Sequence, residues 1–391
     1  MLKKLIQKEA LRQRRVINFI PSENYVSKNV LAALGSPLTN KYAEGQAHRR
    51  YYFGNQIIDE IEDEVKKLVY KCFKVTPAKY GVNVQPYSGS IANLAAYLGA
   101  LADGDPEKLR NGASRILAMS LAHGGHLTHG HSVSWTGKLF NFRHYGVGRD
   151  GWLDYDAIAK LAKQFKPKLI VCGATAYPRK IDFKKFRRIA DSVGALLMAD
   201  ISHIAGLVVG GAYPSPFPYA DIVTTTTHKT LRGPRGAIII SKKELADKID
   251  KTIFPGLQGG PQMHTIAAIG VCLEEALHPS FKKYVKQVVV NAKALAEKLK
   301  GLGFRVISGG TDNHLFLVDV TPLGLTGKTA GERLEKHGII VNKNAIPYDI
   351  RQPWDPSGIR LGTPAVTTQG MGEKDMIKIA RRIHAILMTN S

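Results

Sequence analysis

The sequence predicts a mostly parallel α/β sheet sandwiched by helices, with a smaller α+β unit at the carboxyl end, on three observations. Short apolar runs rich in β-branched residues recur at 115–120, 168–173, 195–200, 221–227 and 236–240, separated by helix-length segments such as 154–165 and 184–193. Strands that alternate with helices make a parallel sheet covered on both faces. Two of these runs end in reactive side chains, Asp200 on one and Lys229 just beyond the other, at the strand edge where open α/β sheets bind ligands. The third is length: 391 residues exceed one small core and suit a large domain joined to a smaller one.

The elements follow in order. The first fifteen or so residues form an amphipathic helix, broken at Phe19-Ile20-Pro21, and the stretch to about residue 55 reads as an irregular arm. Over 59–73 the apolar positions Ile61, Val65, Leu68, Val69 and Phe73 recur at helical spacing. After residue 270 a long helical segment including 285–302 leads to strands near 314–320 and 338–342 and to a closing helix near 373–388. The expected division is 1–55 as arm, 56–270 as the large domain and 271–391 as the small one.

Bulk properties narrow the class of function. Cys72, Cys172 and Cys272 are scattered, odd in number and without a CxxC pair, so they read as reduced thiols of a cytoplasmic protein. No apolar run reaches the length of a signal or transmembrane segment. The net charge of +23 comes from 55 Lys and Arg against 32 Asp and Glu. These charges are spread along the chain without interleaved aromatics, which reads as a solvated basic surface and argues against a nucleic-acid partner.

Lysine and aspartate on two strand ends point to pyridoxal 5'-phosphate: the lysine condenses with the aldehyde, and the aspartate keeps the pyridine nitrogen protonated so that the ring accepts electrons. Ser88-Gly89-Ser90 opens an apolar helical run, and free amides at a helix start suit a phosphate. Alone, that tripeptide is an ordinary N-cap; beside Lys229 and Asp200 the phosphate reading prevails. Four imidazoles fall within 123–131, yet no Cys, Asp or Glu accompanies them, so no metal is expected and His126 is read as a ring stacked on the cofactor. The GxGxxG match at 146–151 precedes its helix only at a distance and reads as a turn. Arg360, flanked by turn residues, can pair a carboxylate bidentately, although a surface ion pair is the ordinary role of a lone arginine.

Over nearly its whole length the chain resembles the serine hydroxymethyltransferase family. The resemblance rests on Pro21-Ser22-Glu23-Asn24-Tyr25, Thr39-Asn40-Lys41-Tyr42-Ala43-Glu44-Gly45, Arg50-Tyr51-Tyr52, Gly259-Gly260-Pro261 and the segments 121–130, 200–207, 224–236 and 357–364. It implies a pyridoxal-phosphate enzyme of the aspartate-aminotransferase fold, fold type I, that moves a one-carbon unit between serine and tetrahydrofolate and leaves glycine. Carried over residue by residue, Lys229 takes the cofactor, Asp200 faces its pyridine nitrogen, His126 stacks on it, and His203 adjoins its phenolic oxygen. Ser88, Gly89, Ser90 and the Gly260 amide hold the phosphate, and Thr175 and Thr226 complete the cofactor contacts. Ser22 and Arg360 take the substrate carboxylate, and His228 influences which amino acid is accepted. Tyr42, Glu44 and Tyr52 reach in from a partner subunit of a homodimer or larger assembly, Glu44 handling protons. Folate lies against Leu121, Gly125, His126, Leu127, Asn344, Gln352, Pro353 and Trp354.

Some positions depart from the family pattern. The amino-terminal arm is short, Thr175 stands where serine is usual, Ser202 where alanine is usual, and Trp354 where phenylalanine is usual. None removes a group that does chemistry. Two rival readings are a folate-independent aldolase for threonine-type β-hydroxy amino acids and a basic RNA-binding protein that keeps the enzyme's shell; the full set of candidate catalytic groups argues against the second.

Overall fold

Seven strands form the central sheet of the computed structural model, which describes residues 1–102, 107–110 and 114–389. They are β1 (Tyr80–Asn83), β2 (Arg115–Met119), β3 (Asn141–Tyr145), β4 (Leu169–Cys172), β5 (Leu196–Asp200), β6 (Ile222–Thr226) and β7 (Ala237–Lys242), in the order β1-β7-β6-β5-β4-β2-β3. From β6 to β3 every pairing is parallel, and β7 runs antiparallel to both β6 and β1. β4 and β6 are buried at every position, as expected of parallel strands with helices on both faces. The register pairs Asp200 with Thr224, so β5 and β6 deliver their carboxyl ends side by side.

Past β6 the chain folds back on itself before β7. Gly233 N donates to Thr227 O at 2.8 Å, Thr227 Oγ1 donates to Pro234 O at 2.6 Å, and Arg232 takes a φ of 63°. These bonds fix the turn that carries Lys229.

A second, antiparallel sheet contains β8 (Arg305–Val306), β9 (Leu315–Asp319), β10 (Asn342–Asn344) and β11 (Gly358–Gly362), ordered β8-β9-β11-β10. The helices Pro279–Gly301 and Glu373–Met388 enclose its core with Leu295, Leu299, Phe316, Val318, Ile359, Leu361, Ile379 and Ile383. The long helix belongs to both cores, since Phe281, Val285 and Val288 pack with the large sheet and Leu295 and Leu299 with the small one. The arm is tied to the small sheet's side: Ile17–Asn18 pairs in parallel with Ile339–Ile340, and Phe19 is fully buried there.

Three elements differ from the sequence expectation. The arm contains a helix, Lys28–Leu34, with Ser27 accepting the Val30 amide as cap; with Val30 its one buried residue, it leaves little periodicity to read. β1 and β3 occupy the two edges: β3 is largely exposed and carries Asn141 and Arg143, while β1 is mostly buried but only four residues long, with Gly81 and Asn83 interrupting the apolar run that marks the interior strands. The GxGxxG segment, by contrast, is the turn the sequence leads one to expect, closed by Gly148 N to Trp152 O at 2.7 Å, with the helix Tyr155–Phe165 starting only afterwards. Among the described residues no helix is long and apolar enough to cross a membrane.

Candidate active site

The ends of β5 and β6 and the start of the helix Gly89–Leu101 surround a cavity of about 310 Å³, the size of a small-molecule site. Eleven of the sequence candidates line it: Ser22, Ser88, Gly89, Ser90, His126, Thr175, Asp200, His203, Thr226, His228 and Lys229. The wall also includes Glu23, Asn93, His129, Ala174, Ser202 and Arg235.

Lys229 is 8% exposed, and its Nζ donates to Thr226 Oγ1 at 2.9 Å. No carboxylate lies within ion-pair distance of it among the described residues. Burial lowers its pKa to about 8, with Arg360 and Arg235 adding to the effect against the pull of Asp200. An amine in that range exchanges its proton readily near neutral pH.

Asp200 is held from both sides. Oδ1 accepts the Ser202 amide at 3.0 Å, and Oδ2 accepts Asn93 Nδ2 at 3.0 Å and faces His129 Nε2 at 3.2 Å. Tyr97 OH lies 2.6 Å from His129 Nδ1. Burial raises the Tyr97 phenol well above its usual pKa, so it stays a donor and His129 turns its Nε2–H to the carboxylate. Burial alone would raise Asp200, but the hydrogen bond from His129, the electrostatics of the neighbouring imidazoles and the Ser202 amide outweigh it and hold the group below the carboxylate range. The result is an ionised, oriented carboxylate in a buried wall.

His126 Nδ1 accepts the Thr128 amide at 3.2 Å and lies 2.7 Å from Thr128 Oγ1. That hydroxyl already accepts Asn93 Nδ2 at 2.9 Å, so its hydrogen goes to His126. Burial, with His129 beside it, lowers His126 to about 4, which keeps the ring neutral. The other imidazoles of the run diverge: His129 turns to Asp200, and His123 packs on Tyr348.

At the phosphate-like turn, Ser88 Oγ caps the helix by accepting the Ile91 amide at 3.4 Å, and the first-turn amides at Gly89 and Ser90 have no intrahelical acceptor. A Cβ on Gly89 would lie 2.6 Å from Thr226 Cγ2, so only glycine lets the backbone line the cavity this closely.

Arg360 does not line the cavity but stands behind it. It is 7% exposed, with Nε donating to Asn342 Oδ1 at 3.0 Å and Nη1 to Thr175 O at 2.8 Å. Burial brings its pKa down to about 10, so it remains charged at neutral pH. No carboxylate pairs with it among the described residues, and a buried charge held only by neutral acceptors favours an incoming anion.

Four candidates gather elsewhere. Tyr42 OH donates to Glu44 Oε1 at 3.4 Å, Tyr42 and Tyr52 meet edge to face at 5.1 Å, and a Cβ on Gly260 would lie 3.5 Å from the Tyr42 ring. None of these lines the cavity of its own chain; Tyr42 is 57% exposed and Tyr52 45%. Of the folate candidates only His126 lines the cavity, and the others form two segments outside its wall. Leu121 and Leu127 are exposed around Gly125, whose Cβ position falls 2.1 Å from Met119 O. Asn344 lies on β10, and Gln352, Pro353 and Trp354 are exposed beyond it. The Tyr348 ring, 4.8 Å from that of His123, brings the two segments together.

Residues missed at the sequence level are Asn93, His129 and Tyr97. Their signals were faint: Asn93 is the one amide in the apolar Gly89–Leu101 helix, and His129 lies three residues after His126.

A buried lysine of lowered pKa, an ionised aspartate on the adjacent strand end and a glycine-bearing helix start suit pyridoxal phosphate. Together with the sheet they define a pyridoxal-phosphate-dependent enzyme of fold type I. The serine hydroxymethyltransferase family matches residues 1–383 of this chain, and the chain belongs to that family. It transfers a one-carbon unit between serine and tetrahydrofolate, with pyridoxal phosphate as cofactor and glycine as the other amino acid. The family match does not favour the folate-independent aldolase.

Proposed function

We propose that Lys229, Asp200, His126, His203, Thr175, Thr226 and the turn of Ser88, Gly89 and Ser90 hold the pyridoxal phosphate, and that Arg360 and Ser22 hold the substrate carboxylate. Bound there, the cofactor supplies an aldehyde for the substrate amine and a ring that takes up the electron pair of the bond broken at Cα. Lys229, with a pKa near 8, gives and takes protons at the substrate nitrogen. Asp200, held ionised, would accept a hydrogen bond from the protonated ring nitrogen and so keep that proton on the ring. The clamp at Arg360 fixes which Cα bond stands in the reactive orientation. His228, lowered to about 3 by burial and by the charge of Lys229, borders the substrate side as a neutral ring. Leu121, Gly125, His126, Leu127, Asn344, Gln352, Pro353 and Trp354 offer the folate an apolar, aromatic mouth.

One observation carries this reading: a buried lysine amine without a carboxylate partner stands beside a carboxylate that its neighbours keep ionised. Borohydride reduction of the yellow protein followed by peptide mapping tests it. The expected label falls on Lys229, and a label on any other lysine overturns the assignment. Serine cleavage should rise on addition of tetrahydrofolate.

We also propose that the working unit is a homodimer or larger assembly in the cytoplasm, with residues 1–55 acting as an arm, 56–270 holding the cofactor and 271–391 closing on the substrate. Supporting the assembly, Tyr42, Glu44, Tyr52 and Gly260 cluster together outside their own chain's cavity. An active monomer in sedimentation would refute it.

A further inference from the structure

A buried pair of imidazoles crosses from one sheet to the other behind the cavity. His203, just past the end of β5, turns Nδ1 to His314 Nε2 at 3.3 Å. The rings lie 5.5 Å apart at an interplanar angle of 28°. His314 comes from the small-sheet side, immediately before β9, and is fully buried; His203 is 4% exposed and lines the cavity. His314 is anchored on each side: Thr363 N donates to its carbonyl at 3.0 Å, and Asn313 Nδ2 donates to Tyr177 O at 3.0 Å.

The second nitrogen of His314, Nδ1, is buried and has no hydrogen-bond partner among the described residues. That orphan decides where the protons sit. Burial, followed by the charges of Lys229 and Arg360, depresses both imidazoles, so each ring carries one proton. If His203 Nδ1–H donated to His314 Nε2, the His314 proton would sit on Nδ1 as a buried N–H with no acceptor. If instead His314 Nε2–H donates to His203 Nδ1, the orphan is a lone pair. Orphaned buried N–H groups are the rarer of the two, and the bond a partner makes to one ring nitrogen sets the state of the other.

We propose that His314 is a positioning residue that donates to His203 Nδ1 and thereby locks His203 as the Nε2–H tautomer, a fixed hydrogen-bond donor toward an anionic oxygen in the cavity. This rests on the reading of the cavity as the cofactor site, where that oxygen is the cofactor's phenolate. His203 is then a donor and cannot serve as a base. The small domain also takes part in setting the chemistry of the pocket through one hydrogen bond.

The test is long-range proton–nitrogen correlation on full-length protein labelled with nitrogen-15 in the histidine rings, with and without pyridoxal phosphate. His203 resonances are identified by their loss in His203→Asn. The expected result is a protonated-type Nε2 and an unprotonated-type Nδ1 in the unaltered protein in both states. In His314→Leu the two nitrogens should move toward averaged shifts as both tautomers populate. His314→Gln, whose amide can still donate, should restore the original pattern, which a merely space-filling role would not require. A protonated Nδ1 on His203 in the unaltered protein overturns the proposal without any variant being needed. An unchanged pattern in a folded His314→Leu does so too. If the tautomer is as stated but adding cofactor leaves His203 Nε2 unmoved, the pairing stands and the placement of His203 at the cofactor falls.

Discussion

The cofactor pocket and the amino-terminal arm are both polar, both rich in rings and both fixed by buried ionic groups, yet one is closed and the other open. In the pocket, Asp200, Asn93, His129 and Tyr97 satisfy one another inside a wall formed by a single chain. In the arm, Arg50 is the anchor, 3% exposed at its side chain and bound to Asp59 at 2.8 Å, Glu62 at 2.7 Å and Ala43 O at 3.0 Å. That anchor is spent on presenting Tyr42 and Tyr52 outward, beside Tyr51 at 78% and Phe53 at 100% exposure. A single chain thus closes the wall around Lys229 and Asp200 and leaves its second set of polar groups outside that cavity. Exposed rings at this density mark an interaction face.

The largest expected effect comes from breaking the pocket. Lys229→Ala removes the proton-handling amine and should lower turnover by about 10²–10⁴-fold, while pyridoxal phosphate still binds through the Ser88 turn. Absorbance after gel filtration and a steady-state assay measure the two separately. Loss of cofactor binding in step with activity would show that the turn contributes little.

Arg360→Ala should weaken serine binding by about 2–5 kcal/mol, roughly 30-fold to several thousandfold, since a buried charge is lost from an anion site. Arg360→Lys should recover little, because an ammonium cannot form the planar pair. Serine titration of the visible spectrum reports the affinity directly, and an unaltered affinity would remove Arg360 from the site.

The pocket should also leave a mark on stability against pH. The pKa of Lys229 falls from 10.5 to about 8 on folding. Between those values the unfolded chain binds the proton and the folded chain does not, so this group makes the protein more stable as pH rises through that window. Below about 8 its buried charge costs about 3 kcal/mol, a cost gone above 10.5. In cofactor-free protein, Lys229→Met should flatten the rise, as denaturant titrations at pH 8 and 10 would detect. An identical slope in both proteins would mean that the amine is better solvated than its surroundings imply.

The smallest effect tests the arm. Glu44→Gln and Lys229→Ala chains, each inactive alone, should regain about one quarter of normal activity when mixed equally, because half of random dimers are mixed and half of their sites are intact. No recovery despite demonstrated subunit exchange would return Glu44 to its own chain's site and erase the contrast between the two regions.

Sequence alone determined the interior strands, the turn with Lys229, the end at Asp200 and the helix start at Ser88. Each is written locally: a β-branched run, an abrupt polar stop, or a cap followed by an apolar helix. It also carried the family resemblance and with it the chemistry. The edge strands were illegible for two reasons: β3 is largely exposed and sheds the apolar pattern, and β1 is a four-residue strand broken by Gly81 and Asn83. What only the tertiary structure decided are contacts between residues far apart in the chain: Asn93 on Asp200 across 107 positions, His314 on His203 across 111, and Arg360 on Thr175 across 185. No local period encodes such pairs; they form because two sheets and a shared helix pack in one arrangement, and burial then sets the charge and tautomer of the groups brought together. The arm is the opposite case: its motifs were plain in the sequence, and only folding decided that Tyr42, Glu44 and Tyr52 lie outside their own chain's cavity, on a segment that Arg50 ties to Asp59, Glu62 and Ala43 O.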